Sequence, residues 1–175
     1  EPISAMGWDQ PLAVISEEPQ SFFNYFKQRF SQVTNPAIDP IRESLVMSLS
    51  GFIGKVGPGI LNPDEKNCRM IKLNRPVITN TQLEVLCSLG YKGFSSQKIS
   101  TTFTGNLEYA LENLCHKCEK CVDEGVNYII LSDRSADEKH TPIPALLALS
   151  AVHHHLIATG KRVQTALIVE SGEIR

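Results

Sequence analysis

The second half of the chain contains two apolar runs, Tyr128-Ile129-Ile130-Leu131 and Ala166-Leu167-Ile168-Val169. Short runs of this kind are typical of strands that are buried on both faces of a parallel sheet. A helical pattern precedes each run, over residues 107–122 and 144–159, and a glycine follows each pattern. We therefore predict an α/β fold with a mostly parallel sheet and flanking helices from βαβ crossovers. A partial βα-barrel-like unit is one form that this pattern allows.

Further regular elements are predicted upstream of these runs. A polar strand over residues 97–103 precedes the first helical pattern, and the alternating residues 68–73 suit another short strand. A helix is predicted over residues 80–89. Thr79 with Gln82 three residues later predicts a capping box at the start of that helix.

The first third of the chain has a different character. Four phenylalanines at helical spacing predict an amphipathic helix, and they are Phe22, Phe23, Phe26 and Phe30. Asp39 followed by Pro40 predicts the start of a second helix. Residues 51–67 are rich in glycine and proline, and we interpret them as a turn-rich connection within a single domain that covers residues 1–175.

Composition excludes several classes of protein. The chain has 175 residues, with 17 Lys and Arg against 19 Asp and Glu, and its formal net charge is -2. Because no basic run is present, we expect neither nucleic acid nor a membrane as a partner. The first residues lack the features of a signal peptide. Three of the five cysteines lie close together, which favours reduced thiols and a cytoplasmic location over a disulfide framework.

Cys115, Cys118 and Cys121 resemble the start of an iron–sulfur ligand run. Such a run needs an irregular loop that wraps the cluster, whereas here the cysteines lie in the middle of a helical pattern. Cys118 falls on the apolar stripe of that pattern. We interpret the three residues as structural thiols, and a metal site is the alternative.

Residues 153–155 are three consecutive histidines inside the last helical pattern. Neighbours on a helix point about 100° apart, so no two of them can share an ion in the manner of a pair four residues apart. We expect His153 to be buried with a hydrogen-bond partner and His155 to face the other way. The glycine-rich residues 51–56 lack the pattern of a phosphate-binding loop.

Polar residues follow the two apolar runs, where open α/β sheets place their ligands. They are Ser132-Asp133-Arg134 after the first run and Glu170-Ser171-Gly172 after the second. Asp133 and Arg134 can serve a ligand site, cap helices, or pair with each other at a contact between domains. We favour the domain contact.

Three parts of the chain carry a family resemblance. They are residues 6–16, residues 25–43 with the string YFKQRFSQVTNPAIDPIRE, and a C-terminal part formed by residues 131–134, 142–144 and 151–157. In these parts the sequence resembles the central domain of the large chain of glutamate synthase. The resemblance runs nearly end to end, although residues 51–68 and the cysteine triplet match it less well.

This resemblance implies a multidomain parent enzyme. In that family an amidotransferase domain hydrolyses glutamine, and ammonia passes inside the chain to an FMN-containing barrel. There 2-oxoglutarate is converted to glutamate with electrons from an NAD(P)H-oxidising subunit or ferredoxin, through an iron–sulfur cluster. The enzyme would be cytoplasmic, or in the plastid stroma of a photosynthetic eukaryote.

For this chain the resemblance implies a non-catalytic central domain with no catalytic, cofactor-binding or metal-binding residues. We expect the domain to link the amidotransferase and FMN domains and to help form the ammonia passage. We also expect a C-terminally truncated fragment that is inactive alone. The competing interpretation is a stand-alone α/β domain that binds a small ligand or a metal.

Within the family-like string, Thr34 and Asn35 are our candidates for lining the ammonia passage. They are polar and lie in a segment that Pro36 keeps non-helical. Their alternative role is to cap the following helix or to close an Asx-turn. Asp133 and Arg134 are the candidates for an interface with the flavin barrel.

Overall fold

The structure, a computed structural model, describes residues 12–26, 48–56, 65–90 and 94–174. The chain divides into two compact units, residues 1–48 and residues 49–175. The assignment of the whole chain to one domain therefore stays a prediction.

The first unit is described over two short 3-10 turns, Ala13–Ile15 and Phe22–Tyr25. The second turn ends at Phe26, whose φ of -98° and ψ of 61° are not helical, so the predicted phenylalanine helix is not continuous through this residue. The rings of Phe22 and Phe26 instead pack edge to face, with their centroids 5.2 Å apart. The helix predicted from Asp39 lies outside the described residues.

The second unit contains the regular elements. Its described elements, in chain order, are β1 (Gly51–Gly54), β2 (Met70–Leu73), α1 (Asn80–Cys87), β3 (Ser96–Ser100), β4 (Thr102–Phe103), α2 (Leu107–Asp123), β5 (Tyr128–Ser132), β6 (Thr141–Pro142), α3 (Ala145–Ala158) and β7 (Ala166–Glu170). None of the described helices is both long enough and apolar enough to cross a membrane.

The main sheet confirms the predicted α/β fold. Its three strands lie in the order β3-β5-β7, and both pairings are parallel. Helices α2 and α3 form the two crossovers. The described strands form no closed barrel, because β1 pairs only with β2 and β4 only with β6, both antiparallel.

The two faces of the central strand β5 enter different clusters. Ile129 and Leu131 pack with α2 and α3, because both crossovers step in the same direction across the sheet and leave their helices on one face. Tyr128 points to the opposite face and packs with Leu86 of α1 and with apolar residues of the β1–β2 hairpin. The sheet is therefore covered on both faces.

The helix ends follow the local signals in the sequence. At the start of α1, the Thr79 hydroxyl accepts the Gln82 N–H and the Gln82 side chain accepts the Thr79 N–H, so the capping box is confirmed. Asn106 caps α2 through the N–H of Tyr109. Gly125 and Gly160 follow α2 and α3 with φ of 83° and 70°, a conformation that glycine adopts without strain.

Two details differ from the sequence predictions. Gly51–Gly54 form strand β1 inside the stretch that we expected to be turn-rich, because the hairpin partner Met70–Leu73 supplies its hydrogen bonds. The polar strand predicted over residues 97–103 is broken at Thr101. The N–H of Thr101 donates to the Ser132 carbonyl and its own carbonyl accepts the Ile143 N–H, which redirects the chain from β3 into β4.

The capping box gives a direct test of the fold of α1. We expect Thr79→Ala to lower the free energy of unfolding by about 1 kcal/mol, since the Gln82 N–H loses its acceptor. Thr79→Ser keeps the hydroxyl and should stay close to the parent chain. Urea unfolding of the three proteins measures the difference, and an unchanged Thr79→Ala midpoint would contradict the capping role.

Candidate functional site

The carboxyl ends of the three parallel strands meet at one edge of the sheet. Ser100, Ser132 and Glu170 are the last residues of β3, β5 and β7, and they lie opposite one another in the strand register. Polar residues that are far apart in the chain therefore form one cluster, which we call the carboxyl edge. The polar residues after the two apolar runs therefore lie at the carboxyl ends of the strands, as the sequence predicted.

Glu170 is the centre of the carboxyl edge. Its carboxylate lies 2.5 Å from Lys98 Nζ, accepts a hydrogen bond of 2.6 Å from Ser132 Oγ and one of 2.7 Å from Arg134 Nε. The side chain is only 12% exposed. Burial raises the pKa of this carboxyl, but the bonds from Lys98, Ser132 and Arg134 outweigh burial and lower the pKa to about 2. Glu170 is therefore ionised at neutral pH.

Asp133 and Arg134 do not pair with each other. The Ser171 hydroxyl donates to Asp133, and the Glu173 N–H donates to the Ser171 hydroxyl at 3.1 Å. A carboxylate oxygen of Glu173 in turn accepts the N–H of Ala145 at 2.8 Å, at the start of α3. Asp133 thus anchors the loop after β7, which caps a helix.

Arg134 lies on the outer side of the same edge. Its Nε binds Glu170, and its terminal nitrogen lies 3.5 Å from the side-chain oxygen of Asn80 at the start of α1. The Arg134 side chain is 61% exposed. It joins the sheet edge to α1, and most of its surface stays exposed.

Three hydroxyl groups complete the edge. Ser100 Oγ lies 2.6 Å from Ser135 Oγ and 2.8 Å from Thr102 Oγ1. Within the described part of the chain, these hydroxyls bond to one another and not to a histidine or a carboxylate. A nucleophile needs an adjacent base, so this group does not form a nucleophile–base pair.

An open groove of about 770 Å³ runs beside the carboxyl edge. Arg134, Glu170 and Ser171 contribute its polar part, and Val77 and Leu167 are among its apolar lining residues. Val77 is 79% exposed. The groove therefore combines a charged rim with accessible apolar surface.

A second ionic cluster lies between α2 and α3, and sequence reasoning missed it. Glu119 of α2 accepts hydrogen bonds from Lys161 Nζ at 2.9 Å and contacts His155 Nε2 of α3 at 2.8 Å. Lys161 also bonds to Asp123 at 2.7 Å. The bonds from Lys161 and then His155 lower the pKa of Glu119 to about 2, whereas those to Asp123 and Glu119 raise the pKa of Lys161.

The consecutive histidines have separate environments. His153 is half-buried and its Nδ1 accepts a hydrogen bond of 2.9 Å from Arg162 Nε, so the predicted partner is present. Burial, and then the charge of Arg162, lower the pKa of His153. His154 is exposed. His155 faces α2, and Glu119 is its partner.

Comparison with known proteins gives the family. The family model described as "Glutamate synthase central domain" matches residues 1–175. The chain belongs to this family. Among curated relatives, the glutamate synthase (NADPH) large chain of Bacillus subtilis (strain 168) is 49% identical over 175 residues, which are 100% of this chain and 11% of that relative.

Further relatives differ in the electron donor that their names state. Ferredoxin-dependent glutamate synthase 2 of Synechocystis sp. is 41% identical over 99% of this chain and 11% of its own length. Glutamate synthase (NADH) of Schizosaccharomyces pombe is 35% identical over 100% of this chain and 9% of its own length. The chain therefore spans about a tenth of the length of these relatives.

The cysteines of this central domain do not fit an iron–sulfur cluster. Cys115 is 8% exposed and Cys118 is fully buried in the core between the sheet and the helices. Burial is the main cause that raises the pKa of Cys118 to about 12. A cluster is held by an irregular loop that wraps it, whereas these cysteines lie on the packed helix α2. Desolvation likewise raises the pKa of Cys115 and Cys121. Cys115 and Cys118 thus contribute to the packed core, and their interpretation as structural thiols stays a prediction.

The carboxyl edge does not fit the phosphate of FMN either. Its two cations, Lys98 and Arg134, both bind Glu170, and Asp133 adds a second carboxylate to the edge. The charges of the four side chains cancel, so the edge has no excess positive charge for an anion. Thr34 and Asn35 lie outside the described residues, and their role stays a prediction.

Glu170 makes the stability of the central domain depend on pH. Its lowered pKa contributes stability that is present above its usual value and is lost as the pH falls towards 2. We expect the difference in unfolding free energy between the parent chain and Glu170→Gln to shrink by about 2–3 kcal/mol between pH 6 and pH 2.

The measurement is urea unfolding at a series of pH values. Glu124→Gln is the matched control, because Glu124 has a 58% exposed side chain that lies 3.8 Å from Lys120. A pH-independent difference for Glu170→Gln would contradict the ionic role of this carboxylate.

Proposed function

We propose that the chain serves as the non-catalytic central domain of a glutamate synthase large chain. In this role it links the glutamine amidotransferase domain to the FMN barrel and helps form the ammonia passage between them. The parent protein would convert glutamine, 2-oxoglutarate and a reductant into two molecules of glutamate. The membership of the chain in this family supports the proposal.

The closed ionic network at the carboxyl edge is the observation that most favours a non-catalytic role. In an open α/β sheet this edge is the usual place for an active site. Here Glu170 is bound by three side chains and has a pKa of about 2, which is far from the range of an acid or base at neutral pH. The isolated chain is accordingly proposed to be inactive.

The surface beside this network favours a contact with a neighbouring domain. Arg134 is mostly exposed on the rim, and Val77 and Leu167 line the adjoining groove. A charged rim around apolar surface is the usual composition of a contact between domains. Asp133 would hold the loop after β7 in place on the same surface. We assign this contact to the flavin barrel, as the sequence predicted.

The ammonia passage is proposed at Thr34 and Asn35. A passage for a small polar molecule needs a few hydrogen-bonding groups and must exclude bulk water. Two short polar side chains next to Pro36 suit this requirement. Sequence and family membership support this proposal.

The names of the relatives support a proposal for the electron donor and the location. Relatives are named for NADPH, NADH or ferredoxin, and some plant relatives are named as chloroplastic. We propose either an NAD(P)H-oxidising subunit or ferredoxin as the partner of the parent protein. The cytoplasm, or the plastid stroma in a photosynthetic eukaryote, is the proposed location. FMN and the iron–sulfur cluster are assigned to other domains.

Charge reversal at the rim tests the domain contact. In the full-length synthase, we expect Arg134→Glu and Asp133→Lys to lower glutamine-dependent glutamate formation several-fold, because each reverses a charge at the proposed contact. Lys139→Glu is the control, since Lys139 is exposed on the same loop. Arg134→Lys, which keeps the charge, should recover most of the activity. Equal activity of Arg134→Glu and Lys139→Glu would exclude the contact.

Bulky side chains at the proposed passage test the transfer of ammonia. We expect Thr34→Trp or Asn35→Trp in the full-length protein to uncouple the two half-reactions, so that glutamine is hydrolysed and ammonia escapes. The ratio of glutamate formed to glutamine consumed measures the coupling. Asn24→Trp, at an exposed position of the same unit, should leave the ratio unchanged. A normal ratio in both test variants would contradict the passage role.

A further inference from the structure

The cluster between α2 and α3 lies at the opposite end of the sheet from the carboxyl edge. A crossover helix runs antiparallel to its strands, so the C-terminal half of each helix is near the amino ends of the strands. Glu119 lies in the second half of α2 and His155 in the last turn of α3. The cluster is therefore independent of the proposed domain contact.

Three potential metal ligands converge there. His116 and Glu119 are three residues apart on α2 and so share one face of the helix, and His155 faces them from α3. Glu119 Oε2 lies 2.8 Å from His155 Nε2 and 3.9 Å from His116 Nδ1. The ligand atoms of all three residues lie within 4.8 Å of one another.

These separations are close to those of an occupied site. Zinc binds nitrogen and oxygen at about 2.0–2.2 Å, so two ligands of a tetrahedral ion lie about 3.3 Å apart. The contact between Glu119 and His155 must open slightly, and His116 must move closer. The side chain of His116 is 73% exposed, so it can rotate inward without displacing the core.

The surroundings of Glu119 resemble the outer shell of a metal site. Lys161 Nζ donates to Oε1, while Oε2 is the oxygen that faces the two histidines. Metal-binding carboxylates are generally oriented by such hydrogen bonds. Asp123 binds the same ammonium group and balances its charge. With neutral imidazoles, the cluster carries two carboxylates and one cation, which leaves an excess negative charge.

An open groove adjoins this cluster. It has a volume of about 540 Å³, and His116 and His155 line it together with Cys115 and Leu111. Two imidazoles and one carboxylate leave a fourth position on a tetrahedral ion. Water or a small ligand in the groove could occupy that position.

We propose that His116, Glu119 and His155 form a binding site for a divalent transition-metal ion, with Zn²⁺ as the preferred ion. Nitrogen and carboxylate ligands in this number suit zinc better than calcium or magnesium, which take oxygen ligands. The site joins the two crossover helices from outside the core.

Calorimetric titration of the metal-stripped 175-residue chain with zinc chloride tests the site. We expect one ion per chain. His116→Asn and His155→Gln should each weaken the affinity by about 100-fold or more, since even outer-shell changes cost 10–100-fold. His154→Asn is the matched control, because His154 is exposed and next to His155. His116 is also exposed, so its variant keeps the test valid if His155→Gln fails to fold.

Cobalt substitution separates this site from the thiols, since Cys68 and Cys87 are exposed. We expect a visible Co²⁺ spectrum without a sulfur-to-metal charge-transfer band, and we expect it to disappear in His116→Asn. A thiolate band, an affinity that both variants retain, or no binding of zinc would each overturn the proposal.

Discussion

Strand β5 has hydrogen-bonded neighbours on both edges and packed side chains on both faces, and the arrangement of residues 49–175 depends on this double burial. None of its five residues is more than 3% exposed. Backbone groups that are removed from water need partners, so β3 and β7 must flank the strand. Side chains alternate across a strand, so both faces also need a cover. Helices α2 and α3 cover one face, and α1 with the β1–β2 hairpin covers the other.

The same burial explains why the carboxyl edge is a closed network. Ser132 ends β5 while it is still buried, so its hydroxyl needs a partner, and Glu170 at the end of β7 supplies one. A carboxylate in that position must in turn be paired, which Lys98 and Arg134 accomplish. The polar residues after the strands thus satisfy one another at the carboxyl edge.

The sequence predicted the elements that local signals determine, and it missed the contacts between distant residues. β5, β7 and the two crossover helices follow from apolar runs, helical periodicity and terminal glycines. The pairing of Gly51–Gly54 with Met70–Leu73 depends on a partner across a long loop, which glycine content alone cannot reveal. Arg134 and its partner Glu170 are 36 residues apart, and so are His155 and its partner Glu119. Spacing argued against a metal site shared by neighbouring histidines, but it could not show that α2 brings Glu119 to His155.

The two polar clusters at opposite ends of the sheet differ in charge balance, and this difference separates the roles that we propose for them. At the carboxyl edge, Lys98 and Arg134 both bind Glu170, and the hydroxyl of Ser171 holds the second carboxylate, Asp133. Between α2 and α3, Lys161 binds the carboxylates of Glu119 and Asp123. The imidazoles of His116 and His155 complete this group. A balanced cluster is stable without further ligands and suits a fixed surface for a neighbouring domain. A cluster with excess negative charge and imidazole nitrogens is stabilised by a bound cation.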